Sequence, residues 1–294
     1  MDIAVFENKI KVKIHGPNIE IEDADVNFTA EFTDEKEVNS CKLRIYNLNE
    51  ENSNAVLNST QYVEIFTNQY GLKDTDNNIL WQLAFAGIPR EATKGKTSSK
   101  KSSKSKMKIP APNITLTANE PDHYIEIDLQ EGDGKDIGVF ISKSYRKGFN
   151  VKKILRDLAK SIDMEIVFDP NVQDFYVNYP IILHENTRDA LAKVASYINA
   201  KCSISNNRVY IVSENPEGTA IYYQFDESNI PQPKFLQNKK IEFHIPYMSA
   251  IRIGSFVKLI NKKLGIDGVY PVCKLTSSFS NHSEECETIV NVKY

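Results

Sequence analysis

The chain has 294 residues, 41% of them hydrophobic and 26% charged, and its 36 Lys+Arg against 39 Asp+Glu leave a formal net charge of −3. At roughly 100–200 residues per domain this length allows two or three domains, large enough to bury a core without a disulfide framework. No stretch reaches the roughly 18 apolar residues of a membrane span, and residues 1–14 alternate charge and hydrophobe, so neither a signal peptide nor a transmembrane segment is expected.

Much of the first 130 residues alternates with period two. Ile10, Val12 and Ile14 interleave with Lys9, Lys11 and Lys13, and similar runs lie at 26–32 and 41–46, as in antiparallel strands with one wet face. Asn47–Asn52 breaks the pattern and offers an N-cap for a short helix near Asn54–Leu57. Strands are expected at 62–66, 79–85 and 114–118. A basic loop between Gly87-Ile88 and the last of these forms the tip of a hairpin.

The period changes after Tyr145. Val151, Ile154, Leu155, Leu158, Ala159 and Ile162 share one helical face behind an Asn150 N-cap, and a strand follows at 164–168. Asn186, Leu191, Ala195 and Ile198 repeat this pattern and lead into a hairpin at 202–212 that turns at Asn206-Asn207. The segment reads as a small α/β domain of two helices over a short sheet, or alternatively as a duplicated unit. From Thr219 strand patterns return at 220–225, 240–246, 256–260, 269–273 and 287–294, a spacing that favours a barrel or sandwich.

The search for chemistry yields no catalytic, cofactor or metal residue. His15, His123, His184, His244 and His282 lack partners at metal-ligand spacing. His184-Glu185 opens like a zinc-protease helix, but Arg188 stands where the second His is required. Cys41, Cys202, Cys273 and Cys286 form no CxxC pair and read as reduced structural thiols, which suits a reducing cytoplasm. Asp122-His123 and Glu284-Glu285 read as solvated turn charges, and residues 128–134 as an acidic turn without the ligand alternation of a calcium loop. No phosphate-binding glycine loop or nucleophile elbow occurs.

Charge is unevenly distributed. No acidic residue lies between Glu91 and Glu120, where Lys94, Lys96, Lys100, Lys101, Lys104, Lys106 and Lys108 fall; removing these seven takes the remainder from −3 to −10. The Lys/Ser-rich loop at 92–108, whose core at 97–106 has no residue able to bury apolar surface, is expected to be mobile. It reads either as a solvated loop or as a low-specificity contact to a polyanion or partner, without interleaved aromatics for base stacking.

The order of segments resembles the baseplate hub proteins of phage tails and tail-like bacteriocins, the late control protein D-like hubs. Residues 43–48 followed by 62–65 resemble the family's opening, and Phe85-Ala86-Gly87-Ile88 resembles its F-x-G-x-I strand. Leu116-Thr117-Ala118-Asn119 stands where the family carries an a-x-D turn, with Asn in place of Asp. Residues 145–150 are similar to the family's approach to its α/β domain, and 251–259 with Gly268-Val269-Tyr270-Pro271-Val272 to its closing barrel segment.

The resemblance implies a mainly β (α+β) protein. Two tube-like antiparallel β-barrel domains, at 1–144 and 216–294, would flank a small α/β domain at 145–215. It further implies a non-enzymatic homotrimer whose pseudo-six-fold ring joins the hexameric tail tube to the spike or tail-tip protein. Other baseplate proteins would surround it, and tape measure protein or DNA would occupy the lumen. Such a ring would belong to the baseplate of a virion or tail-like particle assembled in the host cytoplasm, with no cofactor. The rival readings are a hub-associated cell-wall hydrolase and a nucleic-acid-binding module acting through the Lys/Ser loop.

Overall fold

The computed structural model describes residues 8–22, 24–34, 38–69, 71–76, 78–96, 123–131, 139–205, 208–214, 222–229, 233–282 and 286–294. The first half contributes β1 (Lys9–Ile14), β2 (Ile19–Ile21), β3 (Val26–Thr33), β4 (Ser40–Tyr46), α1 (Glu50–Leu57), β5 (Val63–Asn68), β6 (Gln82–Lys96) and β7 (His123–Glu131). The middle contributes β8 (Phe140–Tyr145), α2 (Val151–Ser161), β9 (Glu165–Phe168), β10 (Ile181–Asn186), α3 (Thr187–Ser196), β11 (Ala200–Ser205) and β12 (Arg208–Ser213). The last part contributes β13 (Tyr222–Asp226), β14 (Lys234–Leu236), β15 (Lys240–Pro246), β16 (Phe256–Asn261), β17 (Ile266–Ser280) and β18 (Glu287–Lys293). The protein is mainly β, with antiparallel pairing dominant and few helices.

The alternating runs bury the face the sequence predicts. Ile10, Val12 and Ile14 of β1, Val26, Phe28, Ala30 and Phe32 of β3, and Ile241, Phe243 and Ile245 of β15 all point inward while the residues between them stay wetter. These strands belong to one 13-stranded sheet ordered β14-β15-β18-β17-β3-β4-β7-β6-β5-β1-β2, with β16 also on β17 and β13 on β16. The decisive junction is β17 against β3, which run antiparallel from Lys274↔Thr33 to Ser280↔Asn27. It merges both ends of the chain into one sheet over one hydrophobic core that extends from Ile10 to Val292. Within this sheet β13 departs from the antiparallel pattern, pairing parallel with β16. The 29-residue connection from 227 to 255 supplies the crossover that parallel neighbours need.

A second core gathers residues from Ile141 to Ile211. Its α2 matches the sequence reading closely: Asn150 caps the helix by accepting from the Lys153 amide at 2.9 Å, and the six apolar positions are all buried. Asn186 caps α3 in the same way through the Arg188 amide at 2.9 Å. The helices pack with a β11-β12-β9 sheet and a separate β8-β10 ribbon. Two of its strands, β8 and β10, were not expected from sequence, and β10 includes the His184-Glu185 pair, which lies in a strand.

Several boundaries differ from the sequence reading. The first helix begins at Glu50, where Asn49 caps it, and the strand expected from 79 begins at Gln82 because Ile79 bridges back to Lys73. The expected strand at 114–118, the Asn119 position and the Asn206-Asn207 turn lie outside the described residues.

Candidate interaction surfaces

Strands β6 and β7 pair antiparallel, and over residues 128–131 strand replaces the acidic turn expected at 128–134. Residues 128–131 continue β7, and Asp128, Leu129 and Gln130 pair with Lys42, Cys41 and Ser40 of β4. The wet face of that pairing is a charge ladder. Arg44 lies opposite Glu126 with Nε to Oε2 at 2.5 Å, and Lys42 reaches Glu126 at 3.3 Å and Asp128 at 3.7 Å. Partial burial works against an ionised Glu126, yet the hydrogen bonds from Arg44 and Lys42 outweigh it and hold the carboxyl below its ordinary range. These acids are therefore committed to cross-strand cations, an arrangement unlike an open calcium site. Residues 132–134 lie outside the described residues.

The β6–β7 pairing gives the F-x-G-x-I resemblance a physical meaning. Phe85 and Ala86 are fully buried, and a Cβ on Gly87 would collide with the Gln130 carbonyl group. Only glycine lets β7 approach so closely. The register then slips between Pro89 and Glu91, a bulge at Arg90 beside the residue that lacks an amide donor.

Residues 92–96, expected as part of a mobile loop, are instead strand, with Ala92 packed on the core; of the seven candidate lysines, Lys94 and Lys96 therefore fall at the far end of β6, opposite Ile125 and His123. Lys94 Nζ donates to Asn54 Oδ1 of α1 at 3.3 Å, on the rim of a cleft of about 520 Å³ that also includes Glu50, His123 and Tyr124. The remaining five, Lys100, Lys101, Lys104, Lys106 and Lys108, lie outside the described residues.

The histidines are separate. His15 meets Glu64 at 2.9 Å, His244 meets Glu287 at 3.1 Å, and His184 packs edge-on against Phe140 with centroids 4.7 Å apart. Among the described residues no group of three or more His, Cys, Asp or Glu side chains is placed to hold a metal ion. Burial raises the thiol pKa of each of the four cysteines, that of Cys202 to about 12. Asp122, Glu284 and Glu285 lie outside the described residues.

The β8-β10 ribbon adds a surface that sequence reasoning missed. Its outer face presents Phe140, Ser142, Ser144, Ile182, His184 and Asn186, with Ile182 74% exposed and Phe140 59% exposed. No Asp, Glu, Lys or Arg interrupts it. The signal was available in the alternation of Phe140-Ile141-Ser142-Lys143-Ser144-Tyr145, whose inward residues Ile141 and Tyr145 are buried.

The unit built on the second core is attached to the main sheet by polar ties. Buried Asn39 donates to the Ile204 carbonyl at 3.3 Å and to Glu131 Oε2, while its own Oδ1 accepts from the Thr33 amide at 2.9 Å. Arg252 donates to the Tyr210 hydroxyl at 3.4 Å with its guanidinium 5.6 Å from the ring centre. A cavity of about 360 Å³ separates the two parts where Asp34, Lys293, Lys201 and Glu214 converge.

No family model matches the sequence, and none of the curated proteins does. Solved structures do match. The tail protein from Neisseria meningitidis MC58 aligns with a TM-score of 0.63 over 98% of this chain and 97% of its own, at 10% identity. The 43 kDa tail protein of prophage MuSo2 from Shewanella oneidensis gives 0.61 over 97% of each chain at 9% identity. The chain has the fold of phage tail proteins. This tail-protein fold extends to the c3393 protein of E. coli, described as a component of the type VI secretion system with structural similarity to the T4 bacteriophage tail proteins gp27 and gp5. That match has a TM-score of 0.53 at 9% identity and covers 96% of this chain and 76% of the other.

Proposed function

We propose that the chain is a structural baseplate hub protein of a phage tail or tail-like particle. In this reading three copies form a ring of six tube-like β units that joins a hexameric tail tube above to a spike or tip protein below. The observation that carries it is the end-to-end likeness to tail proteins: nearly the whole of this chain aligns with nearly the whole of two of them, with no large region of either left over. Fold likeness alone does not assign function, so the weight falls on surfaces. A hub acts by presenting matched faces to itself and its neighbours, and closed cyclic symmetry is the common way to do so. The single sheet from β2 to β14 gives a stiff frame for that purpose, and the uncharged ribbon face of β8 and β10 suits burial against a partner. The role needs no reaction chemistry, and the location is the baseplate of a particle assembled in the host cytoplasm. Other baseplate proteins flank the ring, and tape measure protein or DNA passes through it.

The test is native mass spectrometry of the purified chain, alone and mixed with tube and spike proteins of the same particle. A trimer that captures either partner is expected. Release of peptidoglycan fragments by the purified chain would instead support the hydrolase reading.

A further inference from the structure

A second basic surface lies far in sequence from the Lys/Ser loop. Lys152, Arg156 and Lys160 stand at i, i+4 and i+8 of α2, so they form one row along the helix at a spacing of roughly 6 Å. Lys153 lies beside the row, and Arg146 and Lys147 occupy the exposed turn just before the Asn150 cap. None of these six cations makes an ion pair among the described residues. The nearby acids bond mainly to other groups: Asp157 binds Lys143 at 2.9 Å and Tyr145 at 2.6 Å, and Asp174 binds Asn150 at 2.7 Å, so they meet Lys160 and Lys152 of the row only through their field and, for Asp174, through the Lys152 amide.

This arrangement works against the helix that carries it. Like charges at i,i+4 repel, and Lys152 and Lys153 in a first turn that holds no acid oppose the helix dipole, whereas Lys160 in the last turn suits it. Local rules broken together in this way mark sites kept for function. Aromatic groups adjoin the row. Arg156 and Lys152 lie 5.0 Å and 5.4 Å from the centre of the Phe168 ring. The Val151 amide donates to the Phe175 carbonyl at 2.9 Å, which brings exposed Phe175 and Tyr176 beside the first turn. The apolar side chains of α2 are all buried, so the helix has nothing to insert into a bilayer, and a linear array of cations fits a linear polyanion.

We propose that the α2 row binds the phosphate backbone of a nucleic acid, with Phe175 and Tyr176 placed to stack on bases of a single strand. The test is fluorescence anisotropy with a labelled single-stranded oligonucleotide and its duplex across a salt series. The triple variant K152Q/R156Q/K160Q should weaken binding by about tenfold or more and lower the slope of log K against log salt by about 2 to 3. Y176A should weaken single-strand binding by about fivefold or more. Glutamine keeps helix propensity and relieves the repulsion, so circular dichroism should show the triple variant folded. A loop variant, K100Q/K101Q/K104Q/K106Q/K108Q, should retain the greater part of the binding. The proposal is overturned by any of four results: no binding by the wild-type chain, unchanged affinity in the α2 variant, loss confined to the loop variant, or equally tight binding to anionic vesicles or polyglutamate. Unchanged single-strand affinity in Y176A would overturn the stacking role.

Discussion

Phe28 and Phe279 stand directly opposite one another across β3 and β17, with ring centroids 6.2 Å apart, and Tyr247 packs on both. This contact joins the two ends of the chain in one core. Truncation by F279A should cost about 3–5 kcal/mol in urea unfolding, as for other buried aromatics. In a double-mutant cycle with F28A the rings should show coupling of about 0.5–1.5 kcal/mol. Additive effects would mean that the β3·β17 junction is not held by this pair.

Gly87 provides a sharper test of the β6–β7 pairing. In G87A the new methyl would collide with the β7 backbone, which cannot swing away as a side chain could. A loss of about 1–3 kcal/mol is expected from urea melts, in the range of overpacked cores. Wild-type stability in G87A would show that the pairing relaxes freely at this crossing.

The β4–β7 charge ladder predicts an acid limb. The folded pKa of Glu126 lies below its unfolded value, so its contribution to stability is fully present above the unfolded value near 4.5 and is lost as the pH falls through the lower folded one. The stability gap between wild type and E126Q should therefore narrow steadily on acidification below about pH 4.5. A gap constant down to pH 2 would contradict the ladder.

Asn150 caps α2 and also holds Asp174. N150A should cost about 1–2 kcal/mol by chemical denaturation. N150D keeps a capping oxygen but sets a second carboxylate against Asp174, so it should recover only part of that loss. Full recovery would show that the Asp174 contact contributes nothing.

The parts of the fold that were legible in sequence are those whose periodicity is set by one buried face. The alternation in β1, β3, β4 and β15 and the helical stripe of α2 were readable because each buries a regular set of residues against the core. β7 was missed because its charged residues looked like a turn. Glu126 and Asp128 alternate with buried Ile125, Ile127 and Leu129, and their charges are matched by Arg44 and Lys42, more than 80 residues away. The ribbon strand β8 was hidden by its short, uncharged outer face. Of the candidate site, only Lys94 and Lys96 could be placed, while the α2 cation row went unnoticed because only the apolar face of that helix was followed.

The central claim is that this chain builds a hub ring. Cryo-electron microscopy of the purified protein mixed with the tube and spike proteins of its particle tests this most directly. The account predicts three copies arranged so that six β units surround a central channel, with a tube on one side and a spike on the other. A chain that remains strictly monomeric and binds neither partner would contradict it.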